Sequence, residues 1–150
     1  MTSNDARAQL LMRALRAIID GDDAVMSQLY TDDVRAWAPA LSTASLTELA
    51  AEFNRRDDAF SDIQLEISPL DVSGDYACAE WSVSMRHDGP LVLPDGTRVE
   101  PTGLRVALHG VTVAEFRDDR ICALRQYWDE LSLLEQLGLL SKDMTSTNQM

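Results

Sequence analysis

Apolar residues near the start of the chain recur every three or four positions, at Leu10, Leu11, Ala14, Leu15, Ile18 and Ile19, and Gly21 follows. That spacing predicts an amphipathic helix from Asp5 to Asp20, stopped by the glycine and needing a surface to cover. A short second helix is expected over Asp23 to Tyr30, with Asp22 in the capping position. "VRAWAP" then reads as a strand ended by Pro39. "SLTE", from Ser45 to Glu48, has the form of a capping box ahead of Leu49, Ala50, Phe53 and Phe60, which marks a third helix.

Beyond that helix the period changes to two. Ile63, Leu65 and Ile67 alternate with polar residues, Ser73 to Asp75 makes a turn, and Trp81, Val83 and Met85 alternate again. Asp88 to Pro101 holds three prolines and two glycines and is expected to be a long loop. Leu104 to Arg117 is too long for a flat strand, and Gly110 at its middle predicts a bulge or bend. "RDDR" turns the chain into a last strand, Ile121 to Trp128, and a leucine-rich helix follows. Helices first and strands afterwards indicate an α+β fold with helices packed on one face of an antiparallel sheet. A single domain over 1–141 and a polar, disordered tail over 142–150 are expected.

Composition narrows the partners. Thirteen basic residues against twenty-five acidic ones give a formal charge of −12, which repels phosphate backbones and anionic lipid surfaces. Nucleic acid and membrane partners are therefore not expected. The polar opening "MTSNDARAQ" lacks the basic start and apolar run of a signal peptide, so a cytoplasmic protein is expected. Cys78 and Cys122 form no paired motif and read as buried free thiols. The acidic pairs, such as Asp22-Asp23 and Asp118-Asp119, have neither calcium-loop spacing nor His and Cys company, so no metal is expected.

Asp129 sits where the last strand becomes a helix, the position at which a carboxylate accepts hydrogen bonds from free first-turn amides. A cap held ionised by those amides is a poor proton donor, which favours structure over catalysis. The ending "FRDDRICALRQYWDELSLLEQLGLL", with "MRHDGPL" from Met85 and "PTGLRVALHGVTV" from Pro101, resembles the SnoaL-like polyketide cyclases. That family belongs to the cone-shaped superfamily of nuclear transport factor 2, ketosteroid isomerase and limonene-epoxide hydrolase. The resemblance covers nearly the whole chain. It implies a curved sheet whose concave face carries the helices and encloses a cavity.

The resemblance also shows where chemistry is missing. The hydrolases' strand Asp corresponds to Gln126 and their Arg-x-Asp pair falls at Trp81 and Val83, while the cyclases use as acid/base an Asp close to the Gln126 position. The isomerases' proton-shuttling Asp corresponds to Ala38. An amide accepts and donates hydrogen bonds but has no titratable proton near neutrality. Epoxide-type hydrolysis is accordingly disfavoured.

Strand alternation combined with the resemblance gives an expected lining of Arg35, Trp37, Trp81, Val83, Met85, His87, Val106, Leu108, Gln126 and Trp128. Gln126, Arg35 and His87 are the catalytic candidates: an amide for a substrate oxygen, a cation for developing negative charge, and a group titrating near neutrality. Two of them have a plainer use, Arg35 in an ion pair and His87 as a solvated turn residue. The tryptophans and apolar side chains would hold an apolar molecule, or simply fill a core. His109 falls on the outer face. Val111, Ile121, Ala123 and Tyr127 are expected there too, an apolar set that a homodimer through the sheet would cover. The expected activity is a cofactor-independent cyclase or isomerase acting on an apolar oxygenated intermediate of secondary metabolism. The alternative is a binding or accessory protein that kept the cone and lost catalysis.

Overall fold

The computed structural model describes residues 4–39, 41–93 and 95–140, and of residues 4, 5 and 55–57 only the backbone. The polar tail lies outside the described residues. The first helix, α1 (Asn4–Asp20), buries Leu11, Ala14, Leu15 and Ile18 as its period requires, and Gly21 ends it at a φ of 66°. In α2 (Asp23–Leu29) the Asp22 carboxylate accepts the Val25 amide at 3.1 Å. The chain enters β1 (Tyr30–Ala38) and doubles back as β2 (Leu41–Thr43), a strand too short to show a period. The capping box forms at α3 (Leu46–Ala59): Glu48 donates its amide to Ser45 Oγ at 3.2 Å, and its carboxylate accepts the Ala44 amide at 2.8 Å.

A hairpin of two long strands follows, β3 (Phe60–Ser73) and β4 (Tyr76–His87). The segment expected to be loop between Asp88 and Pro101 contains a small separate hairpin, β5 (Leu91–Val92) and β6 (Arg98–Val99). Pro90 and Pro101 fall outside the paired positions, so they hide the strands without preventing them. The chain ends in β7 (Arg105–Arg117), β8 (Arg120–Trp128) and α4 (Glu130–Gln136).

Six strands form one sheet in the order β2-β1-β8-β7-β4-β3. Every pairing is antiparallel except β1 with β8, which run parallel where β1, paired on its other side with β2, is added beside the last strand. The expected α+β cone is therefore present with a mixed sheet. The α4 helix is fixed to β7 beyond the end of β8. There the Gln136 amide accepts the Ala107 N–H and donates to the Ala107 carbonyl, both at 2.8 Å, acting as one more rung of ladder.

Three registers differ from the sequence reading. The β1 burial alternation places Val34, Ala36 and Ala38 inward, so Arg35 and Trp37 face outward. In β8 the pairing skips Cys122, because Glu115 faces Ala123 while Phe116 faces Ile121. This bulge turns both Ile121 and Leu124 into the core, although they are three residues apart, so Ile121 does not belong to the outer face. Gly110 is no bulge: it sits in register between Trp81 and Trp128.

Candidate functional site

Inward side chains alternate without interruption along the middle of β4 and β7, and they carry the site. Trp81, Val83 and Met85 from β4, Leu108 from β7, and Gln126 and Trp128 from β8 line one side of a cavity of about 810 Å³. Ala38 of β1 joins them. Ile18 and Ile19 of α1, Phe53 of α3 and Leu133 of α4 form facing walls. The β5–β6 hairpin closes part of the rim through Leu91, Leu93 and Arg98. The size suits a drug-sized organic molecule, since ligand cavities run to about 300–1,000 Å³.

The floor is built by a particular contact. Trp81 donates its indole N–H to Thr112 Oγ1 at 2.9 Å, and Thr112 is fully buried. The ring passes over Gly110, where a Cβ would lie 2.3 Å from Cζ2 of the indole. Glycine stands there for that close approach. With its N–H engaged, Trp81 offers the cavity an apolar surface. Gln126, which faces Thr112 across the β7–β8 ladder, supplies an amide beside that surface.

Ionisable groups also reach the cavity. Glu52 and Asp58 of α3, Glu130 of α4 and Arg98 of β6 belong to its lining. Sequence reasoning did not single these residues out. Glu52 precedes Phe53, a core residue on the helix face that repeats from Leu49, and that adjacency was the available signal. Arg98 already pairs with Glu100 at 2.8 Å.

The remaining expected lining residues lie elsewhere. Arg35 and Trp37 border a separate groove of about 550 Å³ on the outer face, with Asp33, Arg117, Cys122 and Arg125. Trp37, 45% exposed, packs against Tyr127 with ring centroids 5.2 Å apart. Asp33 accepts a hydrogen bond from Arg117 at 2.5 Å, which holds the carboxyl below its usual range. Burial pushes the Cys122 thiol up, as it does that of Cys78, so both are poor nucleophiles.

His87 is not a solvated turn residue. It is fully buried, with its ring 5.4 Å from that of Phe60. Its Nδ1 accepts the Thr102 amide at 3.2 Å and contacts the Thr102 hydroxyl at 2.9 Å, so the ring proton resides on Nε2. That Nε2 has no partner among the described residues. His87 ties the root of the hairpin to β4 and does not border the cavity. Val106 is wholly buried in the cluster with Leu133 and Leu137, beneath α4.

At the strand–helix joint Asp129 accepts the Ser132 amide at 3.3 Å, as a cap does. His109 is exposed on the outer face, as expected. Among the described residues no group of three or more His, Cys, Asp or Glu side chains is arranged to hold a metal, and no helix is long and apolar enough to cross a membrane.

Comparison with known proteins gives the same architecture. Residues 11–124 match the SnoaL-like domain family. Among solved structures, AclR of Streptomyces galilaeus, assigned as a hydroxylase, is 24% identical with a TM-score of 0.76, over 93% of this chain and 100% of that one. TsrD of Streptomyces laurentii is 26% identical with a TM-score of 0.74, over 88% and 94%. IdmH of Streptomyces antibioticus, assigned as a polyketide cyclase, is 18% identical with a TM-score of 0.74, over 88% and 98%. No curated protein sequence matches the chain.

Proposed function

The chain belongs to the SnoaL-like domain family, and from that premise we propose that its cavity binds an apolar, oxygenated, polyketide-like intermediate and cyclises or isomerises it without a cofactor. The observation that carries this reading is the pairing of a mainly apolar cavity of about 810 Å³ with an inward amide, Gln126, at the position the resemblance gives to a catalytic acid. Gln126 hydrogen-bonds a carbonyl or hydroxyl oxygen of the ligand. Trp81, Trp128 and the aliphatic walls hold the chain folded so that its reacting atoms meet, an effect that needs no proton shuttle. Where a proton must move, Glu52, Asp58 and Glu130 are the carboxylates on the cavity wall, a role no side chain at positions 38, 83 or 126 can fill.

Arg35 has no part in this chemistry, because β1 turns it to the opposite face. The outer face, with Trp37 and Tyr127 about half exposed, is assigned to a second copy of the chain, and the protein to the cytoplasm. Once a substrate is in hand, Trp81→Ala and Gln126→Ala test the assignment: both lower its turnover, and unchanged turnover in both removes these roles.

A second reading has its own support. With Ala38, Val83 and Gln126 at the positions that the resemblance gives to the superfamily's acids, the same cavity serves a binding or accessory protein that returns its ligand unaltered. Recovery of the bound compound unchanged after long incubation is the result that selects it.

A further inference from the structure

Two residues that do not border the cavity decide the shape of its floor. Trp81 lies opposite Gly110 in the β4–β7 ladder, and Gly110 lies opposite Trp128 in the β7–β8 ladder. Thr112, two positions along the same inward face of β7, is opposite Gln126. The Trp81 indole reaches sideways across β7. Its benzo edge covers residue 110, where a Cβ would be 2.3 Å from Cζ2 and 2.6 Å from Cη2, and its Nε1 ends 2.9 Å from Thr112 Oγ1. The ring therefore spans the space between its own strand and the strand of Gln126 and Trp128.

We propose that Gly110 and Thr112 are specificity-determining positioning residues, which lock the Trp81 indole across β7 so that the cavity selects a flat ring system with its oxygen at Gln126. The inference rests on the ligand-binding reading of the cavity and adds the device that gives it shape. Either residue alone is insufficient. Without the Thr112 acceptor the indole N–H is left unpaired and the ring turns toward another partner. With any side chain at position 110 the ring is displaced, because the space is already occupied by its own carbons. When both conditions hold, a planar ligand stacks on the indole and gains contact that a puckered one of the same skeleton loses.

The test compares 2-naphthol with its saturated counterpart, decahydro-2-naphthol, by calorimetric titration, and reads the ratio of the two affinities. Thr112→Val, which keeps the shape and loses the acceptor, is expected to lower that ratio roughly fivefold, and Thr112→Ser to restore it. Gly110→Ala is expected to lower it as far, and tryptophan emission shifts in both altered proteins as the indole leaves its site. In a Trp81→Phe background, which has no N–H to hold, Thr112→Val no longer changes the ratio. If Thr112→Val does not fold, Gly110→Ala and Trp81→Phe read the same quantity. An unchanged ratio in the folded variants overturns the inference and leaves the binding reading intact. Wild-type protein that binds neither probe overturns both.

Discussion

The Asp129 carboxylate accepts the Ser132 amide at 3.3 Å, which makes the acid at the joint between β8 and α4 the cap of the helix that walls the cavity. Its side chain is spent on backbone rather than on substrate. Asp129→Ala should therefore lower stability by about 1 kcal/mol, read from urea denaturation, and leave 2-naphthol binding within about twofold of wild type. Loss of binding without loss of stability is the opposite pattern, and would give Asp129 a role at the cavity.

Gln126 offers the cavity a hydrogen-bonding group that a leucine of similar size lacks. Gln126→Leu should weaken binding of 2-naphthol by roughly two- to tenfold, the worth of one hydrogen bond, while naphthalene binds as well or better. Equal losses for both probes would point to a damaged cavity instead of a lost polar contact.

Trp37 and Tyr127 leave nearly half their surface open on the outer face, 45% and 49%. A second copy of the chain covering them predicts a dimer by sedimentation velocity, and Trp37→Glu should shift it to monomer by burying a charge in the interface. Arg35→Ala, on the same face, should leave cavity binding within about twofold. A wild-type monomer at all concentrations would leave this face without the assigned partner.

Tyr30 is wholly buried and donates its hydroxyl to the Ala14 carbonyl at 3.0 Å, tying β1 to α1. Burial pushes its phenol well above the ordinary range. The folded state thus keeps a proton that the unfolded chain releases near about pH 10, so this contribution is complete below that pH and is lost as pH rises above it. Tyr30→Phe should cost about 1 kcal/mol at neutral pH, and the gap from wild type should close between about pH 9 and pH 11 in denaturation measurements. Parallel curves over that interval would contradict the buried, protonated phenol.

Where alternation ran unbroken, residue pattern grouped side chains that share a face, and the family resemblance supplied which face is inward. Trp81, Val83 and Met85 on β4, and Leu108 on β7, keep a strict period of two and do line the cavity. The helix ends were legible for a similar reason: capping by Ser45 and Asp129 depends on neighbours three residues away. β1 misled because its large residues face out and its small ones face in. Ala36 and Ala38 are buried beneath the helices, while Trp37 finds Tyr127 on a strand far away in sequence. The β8 bulge misled at Ile121 and not at Gln126, because one extra residue at Cys122 resets parity between them. The parallel β1–β8 pairing, and the carboxylates that α3 and α4 bring to the cavity, arise from contacts between distant segments, which no local period encodes.

The most direct measurement of the central claim is chromatography with mass spectrometry on small molecules extracted from the native host, before and after incubation with the purified protein. Conversion of one apolar compound to an isomer of equal mass and different retention, abolished when Trp81 and Gln126 are both alanine, is the predicted result. A compound captured repeatedly and returned unaltered would contradict catalysis and leave the cavity as a binding site alone.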